Sequence, residues 1–266
     1  MKASLILQPL RTARWTLAAL AAGLIAMMLV ATSTYETFGG GQMLSQLLSR
    51  MPRAIRSLVG DENVLTAAGY FSTIFFHPLV LTFEGGAAIA LVTKLAHEVE
   101  SHAVDLLLSR PVTRVELALA RYLAAFAAVG AVIVCGALAF LAGRAVTPAV
   151  QELGTIQVIA AFAYDLLLWA AITSVGFVAS CLSSARGPAV SWAVGFAALS
   201  YLVNVVGQLW KPMEPARRAS VFYYFRPGMA LAGSSPPVAY LALLASVAVA
   251  GLLLGMLAFR RRDLAG

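Results

Sequence analysis

Charge is scarce in this chain of 266 residues, where Asp, Glu, Lys and Arg together make up 12%, about half of the roughly 25% typical of a soluble domain. That excludes an ordinary water-covered globule. With 61% hydrophobic residues and a mean hydropathy of +0.85, the chain reads as an integral membrane protein. Cysteine is nearly absent: Cys135 and Cys181 stand in separate apolar runs, which excludes a disulfide framework and predicts free, buried thiols. No G-x-x-x-x-G-K-[S/T] loop occurs, so the chain does not cradle nucleotide phosphates in that way. Histidine is equally sparse. His97 and His102 in HEVESH are five apart, about 140° around a helix, whereas a zincin needs two histidines four apart on one face. Tyr164 and Asp165 have no accompanying G-x-G-D segment, which removes an intramembrane aspartyl protease.

What is present is a series of long apolar stretches. About 20 apolar residues cross a bilayer as a helix, and six stretches qualify, from Trp15 to Thr34, Tyr70 to Leu95, Leu117 to Leu141, Ile156 to Leu182, Ala189 to Trp210 and Val238 to Phe259. The expected fold is an all-α polytopic membrane protein forming a single transmembrane domain over residues 1–266. The connections Tyr35 to Gly69 and Lys211 to Pro237 are too short to be enzymes. The first stretch exceeds the apolar core of a cleaved signal peptide, so it is expected to stay as a signal-anchor helix.

The net charge of +7 does not point to nucleic acid, because the cations sit at the ends of apolar runs rather than in one stripe. Placing both termini in the cytoplasm puts eleven of the 19 basic residues inside, including Lys2, Arg11, Arg14 and the run Arg260 to Arg262. The positive-inside rule favours that orientation in the cell membrane.

Between the second and third stretches lies KLAHEVESHAVDLLLSRPVTR, residues 94 to 114. Its carboxylates and aliphatic residues predict a short amphipathic helix on the cytoplasmic face. Pro111 is expected to end it, since the residue before a proline is pushed out of the α region. A new helix is expected to carry Glu116 in its first turn, where negative charge is favoured.

The run DLLLSRPVTR, from Asp105 to Arg114 and preceded by carboxylates, resembles the cytoplasmic signature of ABC type-2 permeases, written E-E-E-x-G-T-L before L-L-L-S-x-P-V-S/T-R. The basic amphipathic N-terminus, the outward segment MLSQLLSRMPRAIRSLVG and the ending FRRRDL fit the same family. Glu98 and Glu100 match the acidic run, while Val99, Ser101, His102 and Ala103 replace its usual acidic, basic, glycine and threonine positions. The resemblance implies a permease subunit of an ABC exporter. Its segment from about His97 to Leu107 would be a coupling helix held by a separate ATP-binding subunit. Glu98, Glu100, Asp105, Leu107, Ser109, Arg110, Pro111 and Arg114 would form that contact. It further implies pairing with a second permease subunit, identical or similar, and ATP and Mg held by the partner ATPase, with no cofactor on this chain.

Glu84 in VLTFEGGAAIA and Asp165 in AFAYDLLLWA fall within apolar stretches. An intramembrane carboxylate should face a cavity or a partner, so both are pathway candidates, with Asn204 a third. They keep open a proton-coupled secondary transporter, although no inverted repeat with paired broken helices accompanies them. Asn204 and Gln208 equally suit hydrogen bonding between helices, and Gly251 and Gly255 form a G-x-x-x-G allowing close helix approach. Outside the spans, Gln42 to Gly60 has the apolar spacing of an interfacial helix kinked by Pro52. LWKPMEPARRASVFYYFRPG combines cations with five aromatics, as at a membrane surface or an outer gate.

Overall fold

The computed structural model describes residues 3–37, 42–51, 66–109 and 111–262, and all regular structure within them is helical. In chain order the α-helices are α1 (Ala3–Thr34), α2 (Gln42–Ser49), α3 (Ala67–Phe75), α4 (Pro78–Val92), α5 (Lys94–Glu100), α6 (Ala103–Leu108), α7 (Arg114–Val146), α8 (Thr155–Leu182), α9 (Arg186–Leu209), α10 (Pro227–Leu231) and α11 (Val238–Arg261). Short 3-10 turns cover Pro148–Val150, Lys211–Ala219 and Val221–Tyr224.

Five helices, α1, α7, α8, α9 and α11, are long and apolar enough to cross a membrane. The second expected span is not one straight helix. It is divided into α3 and the α4–α5 stretch, bent by 41°. Pro78 is the cause visible in the sequence: it disfavours the α region at His77 and supplies no N–H of its own. The spans also run longer than the apolar stretches. Helix α7 has 33 residues, about 50 Å at 1.5 Å per residue, so it overshoots a hydrocarbon core of about 30 Å.

Helix α8 is the centre of the bundle. Of its most apolar stretch 67% is buried, against 22% for α1 and for α11, and it packs against α4, α7, α9, α10 and α11. Close approach there depends on glycine. A methyl group built on Gly251 would lie 2.4 Å from Ser174 Oγ, and one on Gly255 would lie 2.4 Å from Phe177 Cδ1. The G-x-x-x-G of α11 is thus occupied by α8 of the same chain. Helix α1 packs extensively against α7, as an integral part of the bundle.

An aromatic cluster of Tyr35, Tyr70, Phe71, Phe75 and Phe140 closes one end of the bundle, and the 3-10 turns after α9 fold over that end. Tyr164 there donates a hydrogen bond to the Tyr224 carbonyl. Ser200 and Ser220 pin the turn to α9, with Ser220 Oγ donating to the Ser200 carbonyl at 2.6 Å. Both thiols are free, Cys181 buried as expected and Cys135 only partly covered. Pro52, with the rest of the segment to Gly60, lies outside the described residues.

Candidate functional site: the polar insert and a buried acid pair

Two places collect the polar residues singled out in the sequence. The first is the end of the bundle where both termini and the 94–114 insert meet. The insert is two helices, not the single helix expected. They part at Ser101 and His102, where His102 takes a left-handed conformation (φ 56). That is the position at which the type-2 signature carries glycine, the residue that enters this region without steric cost. Here histidine adopts it, its Nδ1 3.7 Å from Asp105 Oδ2.

Helix α6 stops at Leu108, and Ser109 closes it by donating to the Leu106 carbonyl at 2.9 Å. The expected termination at Pro111 therefore comes two residues late. Pro111 instead lies in the exposed turn leading to α7. Thr113 and Glu116 then form a reciprocal capping box at the start of α7, which gives Glu116 its place in the first turn.

The carboxylates of the insert split by direction. Glu98 turns inward and is buried beside Arg121, which is 1% exposed. Arg121 Nε donates to Glu98 Oε2 at 2.8 Å, and Nη2 lies 2.8 Å from Oε1. The same guanidinium donates to the Leu5 carbonyl at 2.6 Å and to Gln8 Oε1 at 3.2 Å. One side chain thus joins α7, α5 and the start of α1. A buried arginine is tolerated because its planar fork finds charge and acceptors together.

Glu100 reaches α9, accepting from the Arg186 backbone N–H at 3.0 Å. It caps a helix start whose own N-cap residue is Ala185, which offers no side-chain acceptor. Asp105 and Leu106 point outward, Leu106 being 75% exposed. Val104 is buried and Leu107 half-buried against the bundle, so they seat α6. Arg114 donates to the Arg262 carbonyl, and Arg262 donates to the carbonyls of Cys181 and Ser183 at 3.0 and 2.7 Å. A cation there suits the negative end of α8. Arg110 lies outside the described residues.

The second place is inside the bundle. Glu84 on α4 and Asp165 on α8, 81 positions apart in the sequence, are brought near each other where α4 packs on α8. Trp169, one turn along α8 from Asp165, donates its indole N–H to Glu84 Oε2 at 2.9 Å. The indole reaches Glu84 by lying over Gly85, where an added methyl would be 2.3 Å from its Cη2 atom. Asp165 is 1% exposed, and its Oδ1 has no hydrogen-bond partner. Asn204 does not join them. Its Oδ1 accepts from Arg217 Nε at 3.3 Å, within the covering turn after α9.

No group of three His, Cys, Asp or Glu suited to a metal ion occurs among the described residues. From the sequence no site role falls to Arg121, Trp169, Ser180 or Arg262. Arg121 carries the one usable signal: it lies inside the third apolar stretch, where an ionisable residue implies a buried partner. Ser180, whose Oγ accepts from the Ala96 N–H at 3.0 Å, has no such mark.

A bundle with five helices long and apolar enough to cross a membrane, and a sixth broken pair, is a multi-pass membrane protein. The chain belongs to the family described as "Multidrug efflux system permease Rv1217c, C-terminal domain", whose model matches residues 7–260. No curated protein and no solved structure matches it. The protein is accordingly a membrane transport subunit.

Proposed function

We propose that the chain is the transmembrane permease subunit of an ATP-driven ABC exporter of the type-2 class. It works as a dimer that forms the substrate path. A separate ATP-binding subunit, which holds ATP and Mg, docks on the insert between α4 and α7. The observation carrying this reading is the left-handed His102, because it gives a physical reason for glycine at that position of the type-2 signature. The family's description as a multidrug efflux system supports export as the direction of transport.

In this reading the ATPase grips the outward-facing Asp105 and Leu106, with Glu100, Ser109, Arg110 and Pro111 around them. Both termini then lie in the cytoplasm, at the same end as the insert. When nucleotide alters the spacing of the ATPases, α5 and α6 move with them. Glu98 carries that motion to α7 and α1 through Arg121, and Glu100 carries it to α9 through the Arg186 amide. The spans then shift as rigid bodies. The turns after α9 serve as the outer gate.

The deciding experiment is purification of the chain from its native membranes with identification of any ABC ATPase that comes with it, wild type against a Leu106→Asp, Asp105→Arg variant. A stoichiometric ATPase retained by wild type and lost in the variant supports the reading. An ATPase absent from both, or present equally in both, overturns it.

The juxtaposition of Glu84 and Asp165 favours a second reading, a proton-coupled secondary transporter in which the pair carries the proton. Efflux from cells that stops with a protonophore and survives ATP depletion would select it. Efflux that follows ATP would reject it.

A further inference from the structure

A cavity of about 300 Å³ opens between α1, α4 and α7. Gly23, Leu24, Met27, Phe83 and Val132 give it apolar walls, and Glu84 is its one ionisable wall residue. Small-molecule sites have this character, a largely apolar enclosure with few polar groups that fix orientation. Behind Glu84 lies Asp165, fully enclosed, with Oδ1 unpartnered. Trp169 supplies a single N–H to Glu84.

We propose that this cavity is a binding site for lipophilic organic monocations, with the Glu84–Asp165 pair as the counter-charge. Two neighbouring carboxyls do not both ionise readily, and with one proton between them the pair carries one negative charge. That charge matches a monocation and needs no proton release on binding. A delocalised cation brings its own apolar surface, which the walls cover, and Phe83 offers an aromatic ring favourable to it. A small hydrated ion has no such use for leucine, methionine and phenylalanine walls. A neutral lipid tail would fit the walls but leave the acid pair unanswered. The role of the site in export rests on the reading above, whereas the binding itself does not.

The test separates the two. The full chain, purified into nanodiscs of neutral phosphatidylcholine without nucleotide or ATPase, is titrated with radiolabelled tetraphenylphosphonium. Triphenylphosphine oxide serves as the neutral competitor. The proposal expects saturable binding, one cation per chain, weakened at least tenfold by Glu84→Gln and barely displaced by the neutral compound. Gly23→Leu provides a variant that leaves the carboxyls untouched. A methyl on Gly23 meets nothing within 4 Å, so the larger side chain fills the cavity without disturbing the helix, and it too should weaken binding at least tenfold. Binding that survives Gly23→Leu, or that the neutral compound displaces as well as the cation does, overturns the proposal. Cation binding in a chain that recruits no ATPase would leave the site standing and remove the ABC reading.

Discussion

Glu98 and Arg121 face each other across the junction of α5 and α7, with two nitrogen–oxygen contacts of 2.8 Å in a position closed to solvent. The pair fixes the inner edge of the insert to the bundle, while Asp105 and Leu106 remain outside. Glu98 thus holds the insert, and Asp105 and Leu106 are left free for the proposed docking.

Breaking that pair from one side leaves an uncompensated buried charge, which costs about 3–5 kcal/mol. Arg121→Met should lower the thermal midpoint of the detergent-solubilised protein sharply. Adding Glu98→Met should restore most of the loss, since replacing a whole buried pair by apolar side chains is often neutral. A double variant as unstable as the single one would show that Leu5 and Gln8, not Glu98, are the partners that matter.

Asp105→Arg should leave folding within about 0.5 kcal/mol of wild type, as expected for an exposed site away from buried networks. Under the proposed coupling it should nevertheless abolish transport-linked ATP hydrolysis. Size-exclusion profile and thermal midpoint, measured beside ATPase stimulation, check both halves.

Glycine at residue 102 removes the steric cost of a left-handed backbone, about 1–2 kcal/mol for a side-chain-bearing residue. His102→Gly should therefore raise stability by about 1 kcal/mol. Ser101→Gly should not, because Ser101 lies in ordinary negative-φ space. Thermal midpoints that fall equally for both would contradict the assignment.

Glu100→Ala removes the acceptor that caps α9, an effect of about 0.5–2 kcal/mol for a lost cap. The fraying should appear as faster hydrogen–deuterium exchange at the start of α9, around Arg186 and Gly187. Exchange unchanged there would mean that the cap does not hold α9.

Adjacent glycines in α4 should behave oppositely. Gly85→Ala pushes against the Trp169 indole, so it should shift Trp169 fluorescence and cost about 1–3 kcal/mol by overpacking. Gly86 has open space around it, and Gly86→Ala should be silent in both measurements.

Much of the architecture was legible in the sequence because a bilayer demands long apolar helices, and length and composition reveal these directly. The start of α7 was equally legible, since Thr113 and Glu116 carry their own capping chemistry. The bend at Pro78 had a local mark as well, though an apolar count over Tyr70 to Leu95 passes over it. What no local pattern could supply was pairing between distant helices. Glu84 and Asp165 read separately as two intramembrane acids, and only the packing of α4 on α8 makes them a pair. The insert reads as one amphipathic helix carrying Glu98 and Asp105, yet Glu98 goes inward and Asp105 outward, with a left-handed residue at 102 dividing the helix between them. G-x-x-x-G states that a helix approaches closely and leaves the neighbour unnamed; here the neighbour is α8, through Ser174 and Phe177. The sequence by itself thus determined that the chain spans a membrane as helices and carries a polar insert. Tertiary structure decided which charges meet, because side chains far apart in sequence find each other only once the helices have packed.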